Sequence, residues 1–138
     1  MVAVSEEGGL GILGPHAGQN SLPKDDVERL RTEIRKVKEL ASKPFGVNLF
    51  HSGQNPDIQI QLLLKALFEW KVPVVVIYHD APEIAEDLIK DLKAHDVTVV
   101  YRHLNYTPDL ARKAEKAGVD IIVATGMDEG GLFQVIIW

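Results

Sequence analysis

Alternation is what most narrows the folds open to this chain. Short Val- and Ile-rich runs recur at Leu10–Leu13, Phe45–Phe50, Val72–Tyr78, Val97–Tyr101 and Asp120–Ala124. They are apolar along their length rather than at every second residue, as expected of strands covered on both faces of a parallel sheet. Between them the apolar spacing changes to three and four. Val27, Leu30, Ile34, Val37 and Leu40 form one helical stripe, with Ser21 as the expected N-cap and Asp25 and Asp26 near the positive end of the dipole. A second helix is expected over Ile58–Trp70, opened by Asn55-Pro56-Asp57. A third is expected over Pro82–Ala94, with Ile84, Leu88, Ile89 and Leu92 inward, and a fourth over Pro108–Ala117, ended by Gly118. Each strand–helix unit takes roughly 25–35 residues, the length of a βαβ crossover, and such crossovers join parallel strands. Residues 1–138 therefore read as a single (β/α) domain. The order alone leaves open a doubly wound sheet or part of an eight-fold barrel.

The formal charge of −5 argues against nucleic acid as a partner, since phosphate binding needs a basic face. There is no cysteine, so disulfides, a thiolate nucleophile and a Cys-based metal site are all excluded. No apolar run approaches the ~20 residues of a membrane span. The N-terminal stretch Met1–Glu7 lacks the basic region of a signal peptide. A cytoplasmic protein is expected.

Ligands of parallel α/β folds bind outside the carboxyl ends of the strands, and the unusual residues collect there. His51, His79 with Asp80, and Arg102 with His103 follow three successive strands, and His16 follows Gly14-Pro15. A site lined by imidazoles would make histidine a general base or a metal ligand, though polar loops would also place histidines there. No His-x-His or His-Glu-x-x-His spacing occurs, so no metal site is expected. Asn48 lies inside an apolar strand, where its amide must find a partner. It can face a ligand at the strand mouth or bond nearby backbone. The glycines from Gly8 to Gly14 precede and occupy a strand instead of following one, so they read as a helix end and tight turn, not as a phosphate loop. Gly126, Gly130 and Gly131 follow a strand, where glycine lets backbone approach a flat ring or an anion, or simply makes a turn.

The assembled pattern resembles the nitronate monooxygenase family (formerly 2-nitropropane dioxygenases) and, close to it, flavin-dependent enoyl-acyl-carrier-protein reductase II. The matching stretches, in the family's order, are Ala3–Gly14, Leu30–Leu40, Lys43–Leu49, Lys71–Val75, Glu115–Asp120 and Gly126–Gly131. The resemblance implies a partial TIM-like (β/α)8 barrel of about five parallel strands alternating with helices, with FMN at its C-terminal mouth. It implies an oxidoreductase that oxidises alkyl nitronates with O2, or one that reduces an enoyl thioester with NAD(P)H; its substrate would be a small molecule. Asn48 matches the family's flavin-contacting strand asparagine, and Gly130 and Gly131 match the pair lining the ring. Arg102 lies near the family's basic residue after the fifth strand.

The chain departs from the family in three places. The family's first strand, resembling Pro-Ile-Ile-Gln-Gly-Gly-Met, would precede Met1. The family continues Gly-Gly-His, and the histidine position here is Leu132, which cannot carry a proton. After it come only Phe133–Trp138, an atypical apolar tail over 132–138, where the family has two more strands whose loops grip the FMN phosphate. The expectation is a barrel fragment, truncated at both ends, with weak or absent FMN binding and with open sheet edges able to drive self-association. A non-catalytic, degenerate flavin-binding piece is the rival reading. If the chain is itself catalytic, His51, His79 and His103 are the candidate bases.

Overall fold

The computed structural model describes residues 1–14, 17, 25–51, 58–79, 81–103 and 107–124. In chain order the elements are α1 (Val2–Glu6), β1 (Gly11–Leu13), α2 (Asp26–Leu40), β2 (Phe45–His51), α3 (Ile58–Glu69), β3 (Val74–His79), α4 (Glu86–Ala94), β4 (Thr98–His103), α5 (Pro108–Ala117) and β5 (Ile121–Val123). All four strand pairs are parallel and the sheet order is β1-β2-β3-β4-β5. A doubly wound sheet reverses direction around an early strand. Here the order never reverses, so successive right-handed crossovers set α2 to α5 on one side, as in a (β/α) barrel.

The core lies between sheet and helices. It is built from Val47 and Leu49 of β2, Val75 and Ile77 of β3 and Val99 and Tyr101 of β4, packed against Ile34, Leu64, Leu67, Ile89 and Leu92. The strand residues alternate, as the period of two in a strand requires. Their odd-numbered positions face the helices and their even-numbered positions face what would be the barrel interior.

Local chemistry explains most boundaries. Asp25, not Ser21, caps α2: its carboxylate accepts from the Val27 and Glu28 amides at 3.0 and 2.9 Å. Ser21 and the Asn55-Pro56-Asp57 start of α3 lie outside the described residues. Thr107 caps α5 by accepting from Leu110 N–H. The Gly8–Gly14 run is indeed the passage from α1 into β1, with Gly8 at φ 88°. A side chain on Gly11 would collide with the Met1 backbone and the buried Ser5 hydroxyl, so glycine lets α1 lie directly on β1.

Strands β2, β3 and β4 run further than expected, so that His51, His79, Arg102 and His103 are their last residues instead of the loops beyond them. The third helix starts late. Residues 82–85, expected to be helical, form an irregular connection because side chains of β3 and β4 take up its backbone groups. Among the described residues no helix is long and apolar enough to cross a membrane.

Candidate functional site

The carboxyl ends of β2, β3 and β4 are in register, with His51 opposite His79 and His79 opposite His103. The three histidines thus form a row, but all three occupy helix-facing positions. Asn48 and Arg102 have the other parity. The structure therefore divides the predicted site residues between two faces, where the sequence suggested one imidazole-lined pocket.

On the inner face, Phe50 and Tyr78 stack with centroids 5.5 Å apart, and the Arg102 guanidinium sits 5.2 Å from the Tyr78 ring centre. Stacking on an aromatic face is a geometry that suits a guanidinium and keeps its charge near the strand mouth. Asn48 opposes Val76 in the ladder. Its carbonyl oxygen is buried without a hydrogen-bond partner among the described residues. A buried amide oxygen in that state costs roughly 1–3 kcal/mol, so a donor from a ligand would relieve it. Asn48 also borders a cavity of about 160 Å³ that opens toward α2 and α3 on the helix-facing side, bounded by Gly14, Asp26, Arg29, Phe50, Gln59 and Leu63 among others. Arg29 is itself buried and paired with Asp26.

On the helix-facing side, a larger cleft of about 390 Å³ lies between α3 and α4, with His51 and His79 in its wall. Both His79 and His103 are almost fully buried. Their ring nitrogens contact backbone carbonyls: His79 Nε2 is 2.6 Å from Glu83 O and His103 Nε2 is 2.7 Å from Ala81 O. A base whose nitrogens point at its own backbone is not presented to a substrate on the inner face. Tyr101, between them, accepts from Ala85 N–H at 3.1 Å. Burial pushes its phenol up to about 12, against a smaller downward pull from that amide. Phe50, Tyr78 and Tyr101 were missed as site residues, although a count of strand parity would have sorted all six positions from 48 to 51 and 78 to 79. Gly130, Gly131 and Leu132 lie outside the described residues, as do His16 and Asp80.

A sequential parallel sheet, helices on one side and an amide and a guanidinium on the inner face near the strand ends define a partial TIM-like (β/α) barrel. Residues 1–134 match the family described as nitronate monooxygenase, and the chain belongs to that family. A probable nitronate monooxygenase of Staphylococcus haemolyticus is 30% identical over an alignment covering 95% of this chain and 42% of the relative. The nitronate monooxygenase of Pseudomonas aeruginosa is 28% identical, covering 94% and 43%. Among solved structures, FabK from Thermotoga maritima superposes with a TM-score of 0.73 at 32% identity over 98% of this chain and 38% of that one. Nitroalkane oxidase from Streptomyces ansochromogenes gives 0.69 at 25% identity, over 91% and 41%. The chain thus spans about two-fifths of the length of the relatives it matches. The family is flavin-dependent, and the inner face fits that group in one concrete respect: the buried Asn48 oxygen has no donor among the described residues, and a flavin ring carries an N–H.

Proposed function

We propose that this chain forms part of the flavin-binding barrel of an FMN-dependent oxidoreductase that oxidises alkyl nitronates with O2. The observation that carries the reading is the Asn48 carbonyl oxygen on the inner face, beside the strand mouth, which has no hydrogen-bond partner among the described residues. Asn48 would accept a hydrogen bond from the flavin ring and fix its orientation. Arg102, held over Tyr78, would place positive charge beside electron-rich parts of the ring or an anionic nitronate. Gly130 and Gly131 would let backbone approach the ring face. When bound, flavin supplies the redox chemistry, and the chain supplies binding, orientation and charge. Leu132 stands where the resemblance puts a histidine, so these residues offer no proton acceptor at that position. A well-placed base contributes roughly 10²–10⁴-fold in rate. The chain is therefore expected to turn over nitronate slowly, and to hold FMN weakly because the phosphate site of such barrels comes mainly from loops after the late strands. Its open sheet edges would favour self-association over a nucleic-acid or membrane partner, and a cytoplasmic location suits the chemistry.

The TM-score of 0.73 and 32% identity with FabK favour a second reading, the reduction of an enoyl thioester by NAD(P)H. Oxygen consumption with an alkyl nitronate, measured with excess FMN and no NAD(P)H, separates the two. It is to be compared across the 138-residue chain, its Leu132→His variant and a chain extended to the relatives' full length with that histidine. The extended chain is expected to be much the fastest, and Leu132→His alone to recover little. Robust turnover by the unmodified chain would overturn the role given to position 132.

A further inference from the structure

Phe50, Tyr78 and Arg102 share the inner face, and the ladder sets Phe50 opposite Tyr78 and Tyr78 opposite Arg102. They form one row across β2, β3 and β4, one inner-face position nearer the mouth than Asn48. The row is graded in its chemistry. Phe50, at one end, is 47% exposed. Tyr78, in the middle, stacks on it with ring centres 5.5 Å apart. Arg102, at the other end, holds its guanidinium 5.2 Å from the Tyr78 ring centre. Among the described inner-face residues of the five strands, Arg102 is the only charged one, and the rest are mainly aliphatic. A cation at the rim of an apolar face attracts an anion more strongly than it would in water, because its surroundings screen it less.

We propose that this row selects the substrate: it takes arylalkyl nitronates, with the planar anion at Arg102 and the aromatic ring against Phe50 and Tyr78. The inference rests on the nitronate reading of the same site and adds to it the class of side group. The planar fork of a guanidinium matches a planar anion with two oxygens, and a nitronate is such an anion. The aromatic end of the row favours a flat ring, in offset-stacked or edge-to-face contact. Length makes the choice. Phe50 and Arg102 stand two strand spacings apart, about 9–10 Å. A nitronate with a body of one or two carbons, held at Arg102, stops short of Phe50. One that carries an aryl ring on a short chain reaches it. Arg102 thus sets the affinity for any planar anion, and Phe50 sets the discrimination among them. Tyr78 keeps the two ends in line, with the Phe50 ring on one side and the guanidinium on the other.

Carboxylates stand in for nitronates here, being planar two-oxygen anions that are not oxidised. The test is titration of the 138-residue chain, without FMN and at low ionic strength, with propionate, 3-phenylpropionate and the neutral 3-phenylpropionamide. Binding is followed by NMR at the ring protons of Phe50 and Tyr78 and at the Arg102 side chain. 3-Phenylpropionate should bind about ten-fold tighter than propionate, the weight of an aromatic contact with its buried area. It should bind roughly ten-fold or more tighter than the amide, the weight of a charge-assisted hydrogen bond. Phe50→Ala should bring the two carboxylates to within about two-fold of each other and leave propionate unchanged. Arg102→Gln should weaken both carboxylates and leave the amide as it was. Equal affinity of the parent for the two carboxylates would overturn the proposal, as would an amide that binds as tightly as its carboxylate. So would a preference that survives Phe50→Ala, or shifts confined to residues outside the row. The nitronate reading fails separately: no oxygen consumption with any nitronate by the chain extended to the relatives' length would strike that reading and leave the preference of the row as measured.

Discussion

At the scale of single residues, Asn48 and Asp120 show how burial becomes useful or harmless according to the partner. The Asn48 amide oxygen is buried without one among the described residues. Without flavin, Asn48→Ala should therefore cost no stability, and should raise it by up to about 1 kcal/mol by removing an unsatisfied polar atom. The same variant should bind FMN more weakly. Urea unfolding and FMN titration on one preparation check both signs, and a clear loss of ligand-free stability would mean the amide serves the strand instead. Asp120 is the opposite case. Burial alone would raise its carboxyl, but the Lys93 ammonium at 2.8 Å and the Val99 amide at 2.7 Å outweigh that and hold it below the usual range. A depressed carboxylate stabilises the fold above its unfolded-state value, and that contribution is lost as pH falls through the folded-state value. Asp120→Asn should cost about 0.5 kcal/mol at neutral pH, a figure kept small because the pair is part-exposed and screened. The difference from the parent should vanish in acid, below the carboxylate range, as read by denaturant midpoints at both pH values.

At the scale of elements, α3, α4 and α5 end in the same way. The residue after each helix turn is left-handed: Lys71 at φ 47°, Asp96 at 57° and Gly118 at 99°. A valine follows each. Val72 N–H donates to Leu67 O, Val97 to Leu92 O and Val119 to Ala114 O, at 3.0, 3.2 and 3.1 Å. The left-handed residues donate in turn to Phe68, Lys93 and Glu115 carbonyls. These paired bonds make a Schellman motif, which satisfies the last helix carbonyls and turns the chain into the next strand. Only Gly118 pays no steric cost for the left-handed conformation. Lys71→Gly should therefore raise stability by up to about 1 kcal/mol, and Gly118→Ala should lower it by about as much. Thermal unfolding of the two variants side by side would show opposite shifts; a loss in Lys71→Gly would point to a contact of the lysine side chain that outweighs the strain.

At the scale of the whole molecule, the described sheet has two edges, β1 and β5, each three residues long. Short edges limit strand pairing between chains but do not abolish it. Beside them the inner face leaves Ile12, Phe50 and Ile121 exposed by 41%, 47% and 50%. The expected outcome for the isolated 138-residue polypeptide is reversible self-association, seen as a weight-average mass that rises with concentration in sedimentation equilibrium. Phe50→Lys, which puts a charge on the inner face, should weaken it. A mass that stays monomeric up to about 100 µM, where contacts weaker than roughly 5–6 kcal/mol would already be sparse, would show that neither edges nor face drive assembly.

The sequence by itself determined the alternation of strand and helix, because apolar spacing is a local property of ten to fifteen residues. It also determined the family, through short motifs that survive in order from Ala3 to Gly131. It contained the split between faces as well, since His51 shares the parity of Val47 and Leu49 while Asn48 does not, but proximity to the strand ends obscured it. What only the tertiary structure decided depends on partners distant along the chain. The sequential sheet order comes from crossovers that local patterns do not specify. Residues 82–85 have helical spacing yet stay irregular, because Ala85 N–H is claimed by Tyr101, 16 residues on, and Ala81 O by His103, 22 residues on. The contact of His51 with His79 spans 28 residues and exists only because two strands lie side by side in register. Propensity fixes what a segment can be; the competition for each buried backbone group, settled only when the strands meet, fixes what it becomes.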